Sequence, residues 1–189
     1  PISTKLELIK YEETSSECDG VSWREDGNIL LSTYRGVEVR SRTDLKLIKK
    51  INITGRVWSA HTVGDTLITK VGVYPTVSTY SGTESNPQHT LLHQSKGYYS
   101  QLSVSDNMIA DIDRASNQLT IYAITGNHLY NINISDMRNP AGVHIQPADD
   151  SVLVSHCNVD GEMRKYKLQA AKHHQPVWRC TGLTRPLGI

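Results

Sequence analysis

Phenylalanine is absent from the 189 residues, although tyrosine occurs nine times and tryptophan three times. Aromatic packing therefore falls to rings that carry a polar atom and favour half-wet positions. Cysteine is scarce: Cys18, Cys157 and Cys180 are scattered, odd in number and without CxxC spacing. That pattern argues against a disulfide framework and a zinc finger, and it points to a reducing compartment. No apolar run approaches the ~18 residues of a membrane span, and no basic-plus-apolar leader is seen, so the expectation is a cytoplasmic chain with no membrane partner. An excess of one charge is also missing. The net charge is +1, from 20 Lys+Arg and 19 Asp+Glu, which is too balanced to mark a nucleic-acid binder by bulk charge. Hydrophobic residues make up 38% and the mean hydropathy is −0.41, as suits strands joined by many polar turns. No shift in composition divides the chain, so residues 1–189 read as one domain.

What is present is a repeat. Its cleanest copy spans Leu102 to Pro140 and reads as four short strands: Leu102–Ser105, Met108–Ile112, Gln118–Ala123 and His128–Ile132. The second strand aligns best from copy to copy, beginning at Ile29, Leu67, Met108 and Val152, which lie 38, 41 and 44 residues apart. Each follows a turn rich in Asp, Asn or Gly, residues that tolerate positive φ or form Asx turns. Third strands are expected at Val37–Arg40, Thr76–Tyr80, Leu119–Tyr122 and Met163–Tyr166, with an aromatic recurring at Tyr80, Tyr122 and Tyr166. Fourth strands are expected at Leu45–Ile51, Thr90–His93, His128–Ile132 and Val177–Cys180. A period of ~40–45 residues is that of propeller blades, each of which must lean on its neighbours to bury two apolar faces.

The predicted fold is therefore all-β: a β-propeller segment of about four four-stranded blades, units near 21–55, 56–100, 101–140 and 141–186, with partial blade strands at both ends. Leu6, Ile9 and Tyr11 mark a short outer strand at the start, and Leu187-Gly188-Ile189 reads as the beginning of an inner strand. The expectation is a segment of a larger propeller, or a chain that self-associates through its open blade edges. Two local features read differently. Ser81–His89 has the composition of a surface loop between third and fourth strands. Glu162–Lys172 is rich in helix formers and reads as a strand with the potential for a helical turn. Asn52-Ile53-Thr54 and Asn133-Ile134-Ser135 match the glycosylation pattern, a triplet common by chance.

At the blade junctions, Arg138-Asn139-Pro140-Ala141-Gly142-Val143 and Thr184-Arg185-Pro186-Leu187-Gly188-Ile189 resemble the Pro-x-Gly-Ile/Val entry of NHL-type propeller repeats. Glu25-Asp26-Gly27-Asn28-Ile29 resembles the turn and second strand that follow that entry. The segment from Trp178 to Pro186 is similar to the C-terminal propellers of invertebrate tripartite-motif proteins. No Trp-Asp pair closes a blade, which sets the chain apart from the WD40 type. The resemblance implies a recognition module that binds protein or RNA on one face and, in the tripartite-motif setting, presents targets to a ubiquitin-ligase RING.

In such propellers one mouth is lined by blade junctions and by the loops between second and third strands. Mapped onto this chain, that mouth receives Arg56, Arg138 and Arg185 from junctions, and Tyr34, Arg35, Tyr74, Arg114 and His156 from the inner loops. The candidate binding residues are Arg35, Arg56, Tyr74, Arg114, Arg138 and Arg185. Arg and Tyr are common anchors at protein interfaces, and they also pair with phosphates and stack on bases. Asp19, Asp111, Asp113 and Asp160 in the same loops oppose phosphate, so a protein partner is expected ahead of single-stranded RNA. A metal-dependent hydrolase is the third reading, with Asp111, Asp113 and His156 as its ligands. His89, His93, His173 and His174 read as surface residues. Cys157 beside His156 is an adjacency without catalytic geometry. The expected role is thus non-enzymatic recognition without a cofactor.

Overall fold

The computed structural model describes residues 13–73, 75–83, 86–95, 101–137, 139–156, 161–168 and 176–183. The terminal strand at Leu6–Tyr11 and the inner-strand start at Leu187–Ile189 fall outside them. Sixteen strands are described, in four antiparallel sheets of four, each running through consecutive strands. The first sheet holds β1 (Cys18–Trp23), β2 (Ile29–Thr33), β3 (Gly36–Arg40) and β4 (Leu47–Asn52). The second holds β5 (Val57–Val63), β6 (Thr66–Val71), β7 (Thr76–Thr83) and β8 (Asn86–Gln94). The third holds β9 (Leu102–Val104), β10 (Met108–Asp113), β11 (Gln118–Ala123) and β12 (His128–Asn133), and the fourth β13 (Pro140–Gln146), β14 (Ser151–His156), β15 (Gly161–Lys167) and β16 (Trp178–Leu183).

The inner strands β1, β5, β9 and β13 share a narrow central cleft, to which Val21, His61, Ser103 and His144 contribute. Three apolar clusters fill the gaps between successive sheets. Leu30, Val37 and Val39 meet Ala60, Leu67 and Val71. Ile68 and Val77 meet Leu102 and Ile109. Ala110, Ile112 and Ile121 meet Val143, Val152 and Tyr166. Every strand alternates its side chains between the sheet before and the sheet after, which is why each interior strand needs apolar residues on both faces. Four-stranded sheets packed face to face in this way, with their first strands around one axis, form a β-propeller.

The second strands start at equivalent places. In the third blade the counterpart is Ile109, one residue past the expected Met108, which pairs with Ala123; Ile29, Leu67, Ile109 and Val152 each pair across to the third strand, where the partners are Arg40, Tyr80, Tyr122 and Tyr166. The recurring aromatic thus stands on the face each blade turns to its predecessor, and in the first blade Arg40 replaces it. That leading face is buried in three blades and open in one. Ala60, Leu102 and Val143 are 2%, 1% and 3% exposed, whereas Val21, at the matching place in the first blade, is 70% exposed. Among the described residues no sheet covers Val21 and Trp23.

Two local expectations are corrected. Ser81–Thr83 and Asn86–His89 continue the hairpin: Ser81 pairs with Gln88, Gly82 with Pro87 and Thr83 with Asn86. An insertion split between two antiparallel strands lengthens the arm without shifting register. Glu162–Lys167 lies within β15, paired on both sides by β14 and β16. Two ladders of backbone hydrogen bonds and burial of Arg164 and Tyr166 override the helix propensity there. The remainder of the expected helical turn falls largely outside the described residues. Leu45 is likewise in a turn, with φ 59°, and the fourth strand begins at Leu47.

Candidate functional site

The mouth expected from the sequence holds a pocket of about 600 Å³ between the first and second blades. It is built from three connections: the β2–β3 turn with Tyr34 and Arg35, the β4–β5 junction with Ile53, Gly55 and Arg56, and the β6–β7 turn with Gly72 and Val73. Trp58 completes the lining from β5. The turns need their glycines. Gly55 and Gly72 have φ of 103° and 97°, conformations that side chains rarely adopt. Tyr34 is 55% and Val73 68% exposed at the rim, while Trp58 is 7% exposed at the floor.

The ladder of β5 is irregular at Trp58, with Val57 paired to Val71 and Ser59 to Lys70, so strict alternation breaks there and the Trp58 ring lies against Arg56. The Arg56 guanidinium lies 4.4 Å from the Trp58 ring centroid and 5.9 Å from that of Tyr34, both within cation–π range. Its edge is taken by Asp19, with Nε donating to Oδ2 at 2.7 Å and Nη2 to Oδ1, and Glu17 lies 3.5 Å away. Trp58 Nε1 donates to the Gly72 carbonyl at 2.7 Å, tying the floor of the pocket to its far wall. Arg56 is thus a fixed cationic plate between aromatic rings whose charge Asp19 balances.

Of the six candidate residues, Arg35 and Arg56 meet in this pocket. Arg114 sits in the β10–β11 turn of the third blade and lines neither this pocket nor the cleft beside its own blade. Tyr74, Arg138 and Arg185 lie outside the described residues, as do Asp160, Cys157, His173 and His174. The sequence reading missed Trp58, Gly55 and Gly72. The spacing Arg56-Val57-Trp58 at the head of a strand was the available signal.

The three residues considered as metal ligands are held apart by other partners. Asp111 is 3% exposed, its Oδ1 accepting from Lys70 Nζ at 2.7 Å and its Oδ2 bonded to His93 Nε2 at 3.0 Å. Burial works against ionisation of Asp111, but Lys70 and His93 outweigh it and hold the carboxyl below its usual range. Asp113 folds back on its own turn, accepting from Ala115 N at 2.9 Å and Ser116 Oγ at 2.6 Å. His156 lies in the fourth blade, 3.7 Å from Glu162, and its burial lowers the imidazole pKa. Among the described residues no three His, Cys, Asp or Glu side chains form a group that holds a metal ion. His93 is corrected from a surface residue: its side chain is only 10% exposed, and its ring stacks on Tyr122 at 3.8 Å between centroids. No helix among the described residues is long and apolar enough to cross a membrane.

No family profile and no curated protein matches the sequence. Solved structures do match its shape. The chain superposes on one in the crystal structure of a nidogen/laminin complex with a TM-score of 0.69 at 11% identity, covering 85% of this chain and 64% of that one. Against hydrazine synthase of Kuenenia stuttgartiensis the TM-score is 0.66 at 12% identity, with 93% and 53% covered. Against dihydro-heme d1 dehydrogenase NirN in complex with DHE it is 0.56 at 15% identity, with 92% and 39% covered. The chain therefore spans less than two thirds of the length of each. At these identities the likeness shows the fold, a β-propeller.

Proposed function

We propose that this propeller is a non-enzymatic recognition module that binds a protein partner at its mouth, in the pocket between the first and second blades. The observation that carries the reading is the pairing of Trp58, Arg56 and Tyr34 around about 600 Å³ of mainly apolar space. Trp, Tyr and Arg are the residue types that most often anchor protein interfaces, and here hydrogen bonds to Gly72 and Asp19 hold Trp58 and Arg56 in place before any partner arrives. Gly55 and Gly72 keep the turns narrow, so a partner side chain reaches the indole. Arg35 supplies exposed charge at the edge. The NHL-type entry at Pro140 and Pro186 suggests a setting for such a module, target recognition for a ubiquitin ligase. RNA binding is the weaker reading because Asp19 already occupies the guanidinium of Arg56.

A photo-crosslinking amino acid at Val73, compared with one at Leu129 on an exposed strand elsewhere, should capture a partner only from the mouth. The captured protein should bind Trp58→Ala and Arg35→Ala variants about tenfold more weakly than the parent. Equal binding to every variant would remove this pocket as the site. Binding to a uridine oligomer that falls steeply between about 50 and 200 mM salt would favour the RNA reading instead.

A further inference from the structure

The strand β10, Met108-Ile109-Ala110-Asp111-Ile112-Asp113, places its two carboxylates on one face because they are two apart. That face looks across to the second blade, and the gap between the two sheets opens at the same rim as the pocket above. It forms a second cleft of about 260 Å³, to which no aliphatic side chain contributes. Gln94 and Ser95 stand on one side, with Asp113, Gln118, Tyr122 and Asn131 on the other.

Two properties of this cleft point to a ligand. The first is charge. Asp111 is neutralised by Lys70 beneath it, but Asp113 has no ion-pair partner among the described residues and keeps its charge at the entrance. The second is an unmet hydrogen bond. Ser95 is 5% exposed and lines the cleft, yet its Oγ has no partner among the described residues. A buried hydroxyl left this way costs free energy that a bound donor recovers. Each carboxylate oxygen also has two lone-pair directions. Asp113 Oδ2 takes only Ser116 Oγ, and the two oxygens of Asp111 take one donor each, so acceptor capacity remains along the wall.

We propose that this cleft receives the guanidinium of an arginine side chain presented by the protein partner. The inference rests on the recognition role above and adds the chemistry of a second anchor. A guanidinium is donor-only, with five N–H groups in a plane, and it matches a slot rich in acceptors that carries one uncompensated negative charge. An anionic group would be repelled by Asp113. A neutral polyol would satisfy Ser95 but leave that charge unused.

The test is an amide-resolved NMR titration of the protein with N-acetyl-arginine amide, against N-acetyl-citrulline amide as the neutral isostere. Arginine should shift Ser95, Ser116, Gln118 and Asn131 together, and citrulline should bind about tenfold more weakly. Asp113→Asn keeps an acceptor for its turn and removes the charge, so the arginine response should weaken about fivefold. Gln118→Lys, on the paired strand, should do the same if the first variant disturbs the turn. Ile48→Ala, on the exposed fourth strand of the first blade, should leave the titration unchanged. No shifts at the solubility limit, equal responses to the two amides, or unaltered binding in both charge variants would overturn the proposal. A partner that still needs Trp58 while arginine has no effect would remove this inference and leave the recognition reading standing.

Discussion

Replacing Asp111 with asparagine should be among the costliest single polar substitutions between the second and third blades. The Lys70 side chain is 0% exposed, and its ammonium donates to Asp111 Oδ1 at 2.7 Å and to the Ile112 carbonyl at 3.0 Å. Without the carboxylate, the ammonium stays in a site that excludes water and loses the Asp111 charge that faces it. Breaking a buried pair on one side costs about 3–5 kcal/mol. The same loss is expected for Lys70→Met, which strands Asp111 with His93 alone. Removing both charges, as Lys70→Met with Asp111→Leu, should recover all but about 1–2 kcal/mol, the remainder reflecting His93 Nε2 left without its acceptor. Urea unfolding followed by tryptophan fluorescence measures this. With a slope near 2 kcal/mol per molar, each single variant should lower the midpoint by about 1.5–2.5 M, and the double variant by less than about 1 M. Single-variant losses below about 1 kcal/mol, or losses that simply add in the double variant, would refute the claim that these charges are buried against each other.

Three further outcomes follow from the same packing. His61, whose Nε2 lies 2.7 Å from the Leu102 carbonyl, has its pKa lowered by burial to about 4 from 6.5. The unfolded chain therefore binds the extra proton first. Stability should be full above about pH 6.5 and decline as pH falls towards 4, by at most about 3 kcal/mol, and His61→Gln should flatten that part of the curve. An unchanged slope in the variant would count against it. Gly36→Ala should lower stability by at least about 2 kcal/mol in the same urea assay, because at φ 130° a Cβ would stand 2.1 Å from the Ile51 carbonyl oxygen. A neutral result would mean that β3 and β4 separate there. The two tryptophans at the start of the chain should part company: Trp58→Ala, at 7% exposure, should cost about 3–5 kcal/mol, and Trp23→Ala, at 63%, less than about 0.5 kcal/mol. Similar losses at both would contradict the burial pattern.

The contrast between what could and could not be read in advance has a physical origin. Strands such as Gln118–Ala123 were legible because period-2 alternation and Asx-type turns are local properties, written into consecutive residues. The polar partnerships were not, since Lys70 in Thr66–Val71 looks like a lone charge on an apolar strand until its neighbour sheet is known. The same holds for Arg56, read as a blade-junction residue at the mouth and found clamped by Asp19. Yet these contacts share a regularity. Ser22 Oγ reaches the Ala60 carbonyl over 38 residues, Arg56 reaches Asp19 over 37, Lys70 reaches Asp111 over 41, and Ile145 N reaches Ser103 Oγ over 42. Each separation is about one repeat. When identical units pack face to face, a side chain on the trailing face of one blade meets the leading face of the next, close to its own counterpart position. The period that identifies the fold therefore also gives the offset at which to look for the partner of a charge buried between blades, as for Lys70, whereas Glu38–Arg40 and Glu162–Arg164 pair along one strand.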